Sequence, residues 1–297
     1  MSKPDISVIV PTLNREKELI DTIRDLLNQT HKNLELIVLD QSRGHQPETQ
    51  QAIKEVKDPR FRYLRIGPPS LPVARNFGLK VAKAPIVLFL DDDIKPVPDL
   101  VTQHLKIFTD KPGVSAVAGR VLQEGFPIKR DVLHFDKHGV SHGVFTASQA
   151  DYTNAFPGGN HSLRVSDAQK LGGFDTRYYR IAFREESDLA LRMSRAGMKI
   201  YYEPKAEILH LNSQYGGLTH YKDLFDTLDF YRNDLFFVMH TVGLANILGG
   251  LRAKFMEYCH IRPLSKGLKR SLFFTIGFLT ALRRLAIDRQ IVAEEIK

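Results

Sequence analysis

The first 122 residues alternate short, wholly apolar runs with segments of helical period, and that alternation limits the fold more than any other feature. ISVIVPT, LELIVLD (Leu34 to Asp40), RFRYLRI (Arg60 to Ile66), IVLFL (Ile86 to Leu90) and VSAVAGRV read as strands. Between them, REKELIDTIRDLLNQ, QAIKEVKD, PVARNFGLKVAKA and VTQHLKIFTD read as helices. Leu19, Ile20, Ile23, Leu26 and Leu27 mark one face of the first helix, with Asn14 as its expected N-cap and a turn expected at Pro11. Strands joined through helices make right-handed crossovers and a mainly parallel sheet. Runs apolar on both sides of the pleat belong to strands covered on both faces. The fold class is therefore α/β, a Rossmann-like, mainly parallel sheet flanked by helices. A chain of 297 residues can bury a substantial core.

In such sheets ligands bind beyond the carboxyl ends of the strands. That rule selects Pro11 and Thr12, Asp40, and the run Asp91, Asp92 and Asp93. Adjacent carboxylates repel, so three in a row need a cation or a structural partner. Residues two apart in extended chain share a side, which places Asp91 with Asp93. Paired carboxylates suit Mg²⁺ or Mn²⁺, whose remaining positions take water and phosphate oxygens. A strand-terminal Asp40 can accept N–H groups from a base, and Arg75 can pair with Asp40 or reach a base carbonyl. The structural alternatives are turn or helix-start roles for the aspartates and a plain salt bridge for Arg75.

Further on, PGGN (Pro157 to Asn160) and LGGFD (Leu171 to Asp175) are glycine turns that let backbone approach a ligand, and Asn160 is placed to hydrogen-bond a sugar hydroxyl. FREESDLALRMSRAG reads as a helix with Glu185, Glu186 and Asp188 in its first turn. Acids there also suit the helix dipole; a general base is the catalytic alternative. His210 lies in a strand, Glu207 to Leu211, and either packs or returns to the aspartates as a ligand. Residues 123–154 read as loops, and the chain from about Leu218 reads as helical.

The ordered set VIVPTLNR, IVLDQS, PVARNFGL, LFLDDD, PGGN, LGGFD, EESDLALRMSRAG and EPKAEILHL resembles a family 2 inverting glycosyltransferase of the GT-A fold, over about Ile6 to Leu211. The resemblance implies transfer of a sugar from a nucleotide-diphosphate donor, by default a UDP-sugar, to an acceptor hydroxyl. It puts the DXD motif at Asp91, Asp92 and Asp93, with Asp93 on the metal and Asp91 or Asp92 at ribose or the metal's waters. It makes Pro11, Thr12, Asp40 and Arg75 the nucleotide pocket, and Gly159 and Asn160 the lining of the donor sugar and acceptor side. The base falls on Glu186, where the family usually has Asp, so Glu185 and Asp188 stay in the candidate set. His210 matches a histidine that completes the metal site in some members. The cofactor implied is Mn²⁺ or Mg²⁺, and the partners are the donor and a glycan or lipid-linked acceptor.

The chain has no Trp, hence no Gln-x-x-Arg-Trp motif of the processive members, and single or few additions are expected. The competing classes are a non-catalytic sugar-nucleotide or glycan-binding homologue and a nucleotidyltransferase; VPTLNREKEL lacks the glycine-rich basic loop of the latter. The expected divisions are a GT-A domain over 1–217, with a nucleotide-binding part to about 122 and an acceptor part over 123–217, and a basic helical region over 218–297. Net charge is +8, and nine basic against two acidic residues lie between Arg252 and Arg289. No nucleic-acid motif accompanies that charge, so an anionic membrane surface touched through 252–289, or a homodimer contact, is the expected partner. One cysteine, no apolar leader in MSKPDISVIV and no spanning-length apolar run give a cytoplasmic location, peripheral on the inner membrane face, as the expectation.

Overall fold

The computed structural model describes residues 3–178, 180–213, 224–259, 264–286 and 294–295. The elements in order are β1 (Ile6–Thr12), α1 (Lys17–Leu27), β2 (Leu34–Asp40), α2 (Pro47–Glu55), β3 (Phe61–Gly67), α3 (Leu71–Val81), β4 (Ile86–Leu90), β5 (Ile94–Pro96), α4 (Leu100–Asp110) and β6 (Val114–Gln123). The remainder is β7 (His134–Phe135), β8 (Ser141–His142), β9 (Asp151–Thr153), β10 (Asn160–Arg164), α5 (Val165–Lys170), α6 (Glu185–Arg195), β11 (Lys199–His210), α7 (Leu224–Thr241), α8 (Ile247–Cys259), α9 (Leu264–Leu285) and β12 (Glu294–Glu295). The main sheet runs β12-β3-β2-β1-β4-β10-β6-β11-β5, with β9 also on β11. β1 pairs in parallel with β2 and β4, β2 with β3, and β6 with β11.

The pleat explains the apolar runs. Ile9, Ile37, Leu39, Val87 and Phe89 point to one side and pack with Val73, Leu79, Leu189 and Met193 of α3 and α6. Val8, Val10, Leu36, Val38, Leu88 and Leu90 point to the other and pack with Leu19, Ile23 and Leu26 of α1 and Leu100, Val101 and Ile107 of α4. A third cluster joins Phe236, Phe237 and Val238 of α7 to Tyr178, Leu191 and Ala281, fastening α7 and α9 to the sheet domain.

β2 and β4 fall where the sequence places them. β1 does not turn at Pro11 but continues to Thr12, which pairs with Asp40. Its ladder with β4 ends at Ile9, so the proline is flanked by β2 alone and its missing N–H leaves no gap on the β4 side. Asn14 does not cap α1: Glu16 stands there, and Asn14 sits at φ 54° with its N–H donating to Ser42 Oγ at 2.7 Å. IKPVPD, turn-like in composition with two prolines, holds β5.

β10 was not expected, because four of the five residues of NHSLR are polar. All of it but Arg164 is buried, antiparallel between β4 and β6. Most of its polar atoms are satisfied inside, His161 Nε2 being buried without a hydrogen bond. His104 of α4 bonds Ser162 Oγ at 2.8 Å and Asn160 Oδ1 at 2.9 Å, and His161 Nδ1 meets Pro157 O at 2.7 Å. Polar groups are tolerated in a core when paired in this way. The helix expected from Leu218 is observed from Leu224; residues 218–223, with Tyr221, lie outside the described residues, as do Arg262, Asp288 and Arg289.

Candidate active site

One edge of the sheet collects the polar residues. The carboxyl ends of β1, β2 and β4 bring Thr12, Asp40 and Asp91 there, the start of β10 brings Gly159 and Asn160, the end of β11 brings His210, and the start of α6 brings Glu186.

The three aspartates have different surroundings. Asp92 turns inward, accepting from Thr12 Oγ1 at 2.7 Å and Arg15 Nε at 3.2 Å, and burial pushes its carboxyl up to about 7. Asp93 is buried; its Oδ2 accepts from Arg15 Nη2 at 2.9 Å and from the Ser213 N–H at 3.0 Å, while Oδ1 stands 3.3 Å from His210 Nε2. Asp91 keeps partial exposure, with Oδ2 3.6 Å from the same Nε2. Burial lowers the His210 imidazole, but its bond to Asp93 and the charges of both aspartates outweigh that and raise it to about 9. Asn212 Oδ1, 2.7 Å from Nδ1, orients the ring.

Two carboxylates and an imidazole converging in this way form a donor set suited to Mn²⁺ or Mg²⁺. Among the described residues no three such side chains already stand as a closed ligand set; in this arrangement the imidazole bridges the carboxylates as an ion pair. The backbone leaves room on the same side. A Cβ on Gly159 would lie 2.0 Å from Asp91 Oδ2, so only glycine allows the carboxylate its position.

Arg75 does not pair with Asp40. It is 2% exposed, donates from Nη2 to Gly158 O at 2.8 Å, forms an ion pair with Glu185, and lies over Phe174 at 5.5 Å. Asp40 is instead enclosed, accepting from the Ser42 N–H at 2.8 Å, from Tyr63 Oη, and facing His45 Nε2 at 3.1 Å. Burial raises its carboxyl, yet these partners more than offset this and hold it below the usual range. An acceptor so occupied shapes the pocket wall and has little left for a base. The Asn160 amide is likewise committed inside the fold: its Nδ2 donates to Ala206 O at 2.8 Å and Arg120 O at 3.0 Å.

The three acids of α6 also separate. Glu185 is 1% exposed against Arg75. Asp188 is fully buried, accepting from Arg192 Nε at 2.8 Å and Thr241 Oγ1 at 2.6 Å, which ties α6 to α7. Glu186 is half-buried beside Gly158, whose added Cβ would lie 3.9 Å from Glu186 Cγ, and Ser187 Oγ donates to its Oε1 at 2.8 Å. Sequence reasoning missed Arg15, which binds Asp92, Asp93 and Ser213 O together. Its one signal was a basic residue three positions past the end of β1 and facing an acidic run.

The model for glycosyl transferase family 2 matches residues 7–171, more than half the chain. The chain belongs to glycosyl transferase family 2. Among curated relatives it is 43% identical over 91 residues to the poly(ribitol-phosphate) beta-N-acetylglucosaminyltransferase TarP of Staphylococcus aureus (strain N315). That match covers 30% of this chain and 28% of the relative. The chain therefore spans well under two thirds of that relative. Among solved structures, the mannosyltransferase PcManGT of Pyrobaculum calidifontis, in complex with GDP-Man and Mn²⁺, superposes with TM-score 0.57 at 17% identity, over 96% of this chain and 88% of that one. GalNAc-T7 with UDP, GalNAc and Mn²⁺ gives TM-score 0.60 at 13% identity, over 85% of this chain and 56% of that one. At these identities the two structures establish the family 2 chain's GT-A fold.

Proposed function

We propose that the chain is a metal-dependent, inverting glycosyltransferase that moves a sugar from a nucleotide-diphosphate donor to an acceptor hydroxyl of a glycan or lipid-linked acceptor. The observation that carries the reading is the meeting of Asp91, Asp93 and His210 on one side of Gly159, with the one half-exposed acid of the α6 first turn, Glu186, against the neighbouring Gly158. Asp91, Asp93 and His210 would hold Mn²⁺ or Mg²⁺. Such a cation, when bound, neutralises charge on the departing diphosphate.

The chain's own residues do the rest. Arg15 and Ser213 fix the Asp93 carboxylate, and Thr12 with Arg15 fixes Asp92, so the aspartate run is rigid before any ligand arrives. Backbone at Pro11–Thr12, on the wall built by Asp40 with Ser42, His45 and Tyr63, receives the nucleoside. Gly158 and Gly159 let the sugar lie against the main chain. Glu186 takes the proton from the acceptor hydroxyl as its oxygen bonds to the anomeric carbon. The carbon–oxygen bond to the diphosphate breaks with its electron pair staying on the diphosphate, which inverts the centre in one displacement. The sheet domain, expected over 1–217, supplies this machinery; α7, α8 and α9 lie in the basic region that follows, and β12 within that region is a strand on β3, not helix.

Thermal-shift titration with UDP, GDP and dTDP, each with and without Mn²⁺, tests the reading on wild type and Asp93→Ala. One nucleotide should raise the Tm only with metal, and the variant should lose that rise. Stabilisation by none of them, or by one equally well in Asp93→Ala, rejects it.

A further inference from the structure

Among the described residues twelve large hydrophobic side chains are exposed, and seven of them belong to α8 and α9. Leu248 of α8 is 82% exposed, and Leu272 and Leu279 of α9 are 57% and 59% exposed. Their spacing makes faces. On α9, Leu272, Thr275, Leu279 and Leu282 recur at three- and four-residue steps, while Phe273 and Ala281 on the other side are buried towards α7. On α8, Leu248, Arg252 and Phe255 share a stripe, and Lys254 points inward to Asp234. The Phe255 ring meets Phe274 of α9 edge-on at 5.3 Å, so the two stripes adjoin.

Charge decides what covers this surface. α9 has no Asp or Glu in 22 residues. Lys266, Lys269 and Arg270 lie at its start, and Arg283 and Arg284 at its end. Arg283 is exposed and follows Leu282 directly, at the end of the leucine stripe. Arg252 is exposed within the α8 stripe, and the one acid of α8, Glu257, is bonded to Lys254 at 3.0 Å. No helix among the described residues is long and apolar enough to cross a membrane. A second copy seated here about a two-fold axis would bring two faces of the same positive sign together.

We propose that the outward face of α8 and α9 docks on an anionic lipid surface, the exposed leucines and Phe255 entering the headgroup boundary and the exposed Arg252 and Arg283 pairing with lipid phosphates. A helix lying in the interface plane, with an exposed apolar stripe, basic residues and no acid along its length, has this composition. The site chemistry proposed above is not needed for this inference, and its test reads no activity.

The test is flotation of the full chain with vesicles of phosphatidylcholine, with and without about 30 mol% phosphatidylglycerol. Wild type should float with the anionic vesicles, bind neutral ones weakly, and release as salt rises. Leu272→Glu/Leu279→Glu should weaken binding on the order of tenfold or more, and Arg252→Glu/Arg283→Glu several-fold, with unchanged far-UV circular dichroism. If the leucine pair fails to fold, Leu248→Glu takes its place. Failure of wild type to float at low salt overturns the inference, as does equal binding by folded variants. Sedimentation showing a dimer that the leucine variant dissociates, without vesicle binding, assigns the face to a second copy and overturns it too.

Discussion

Arg184, in the residue before α6, donates from Nε to Asp234 Oδ1 of α7 at 2.7 Å while held at φ 77°. Arg180 and Ala182 in the same segment also have positive φ, at 60° and 51°. Left-handed backbone costs energy for residues with a Cβ, and such strain persists where surroundings over-determine it. Here α7 supplies the restraint: Asp229 takes Arg180 at 2.5 Å, and Asp234 takes both Arg184 and, at 3.0 Å, Lys254 of α8. The helical region thus holds the segment that delivers Glu185 and Glu186.

Asp234→Asn should therefore act at two levels. It leaves buried Lys254 with the exposed Glu257 in place of the buried Asp234 carboxylate, a loss of about 1–3 kcal/mol, read by urea denaturation. It also frees Arg184, so turnover should fall while nucleotide affinity, set at the strand tips, stays near wild type. Loss of both in equal measure would make Asp234 a purely structural residue.

Glu186→Gln and Asp188→Asn should part company. The first should lower kcat by about 10²- to 10⁴-fold, the range for losing a general base, with nucleotide binding and Tm retained. The second breaks the Arg192 and Thr241 contacts that join α6 to α7 and should show first as lost stability. A Glu186→Gln enzyme turning over normally would move the base elsewhere.

Gly159→Ala brings a Cβ to 2.0 Å from Asp91 Oδ2, and backbone cannot yield there without moving β10. The carboxylate must swing away from His210. Isothermal titration should show Mn²⁺-dependent nucleotide binding reduced more than tenfold by this loss of about 1.4 kcal/mol or more. Unchanged affinity would remove Asp91 from the donor site.

The contrast between β4 and β10 shows what the sequence could disclose. β4 declared itself because an apolar pentapeptide buried on both faces needs no partner to explain it. The acidic cluster at its end, the helix of Glu185 to Arg195 and the return of His210 followed from order along the chain. The internal partners of Asn160 and Asp40 were not legible for one reason. A polar side chain reads as available until its partners are known, and those partners are distant in sequence: Ala206 and His104 for Asn160, Tyr63 for Asp40. The same holds for Arg75, whose partner Glu185 is on another element. Periodicity finds cores; it does not show which polar residues have already been satisfied inside them.

His104 offers a pH test of that buried network. It is fully buried between Ser162 and Asn160, and burial lowers its imidazole from 6.5 to about 4 despite the bond to Asn160. Between those two values the unfolded chain binds a proton at this residue and the folded chain does not. Stability from the neutral ring is therefore full above pH 6.5 and is lost as pH falls from there towards 4. The difference is worth about 3 kcal/mol at most. Urea denaturation of wild type and His104→Gln at intervals from pH 7 down to the acid limit isolates it, since other groups titrate alike in both. Wild type should lose stability more steeply than the variant over this window, and its ring resonances should not titrate near pH 6.5 in NMR spectra. Parallel curves, or a ring titrating at its ordinary value, would mean that β10 is not packed against α4 as described.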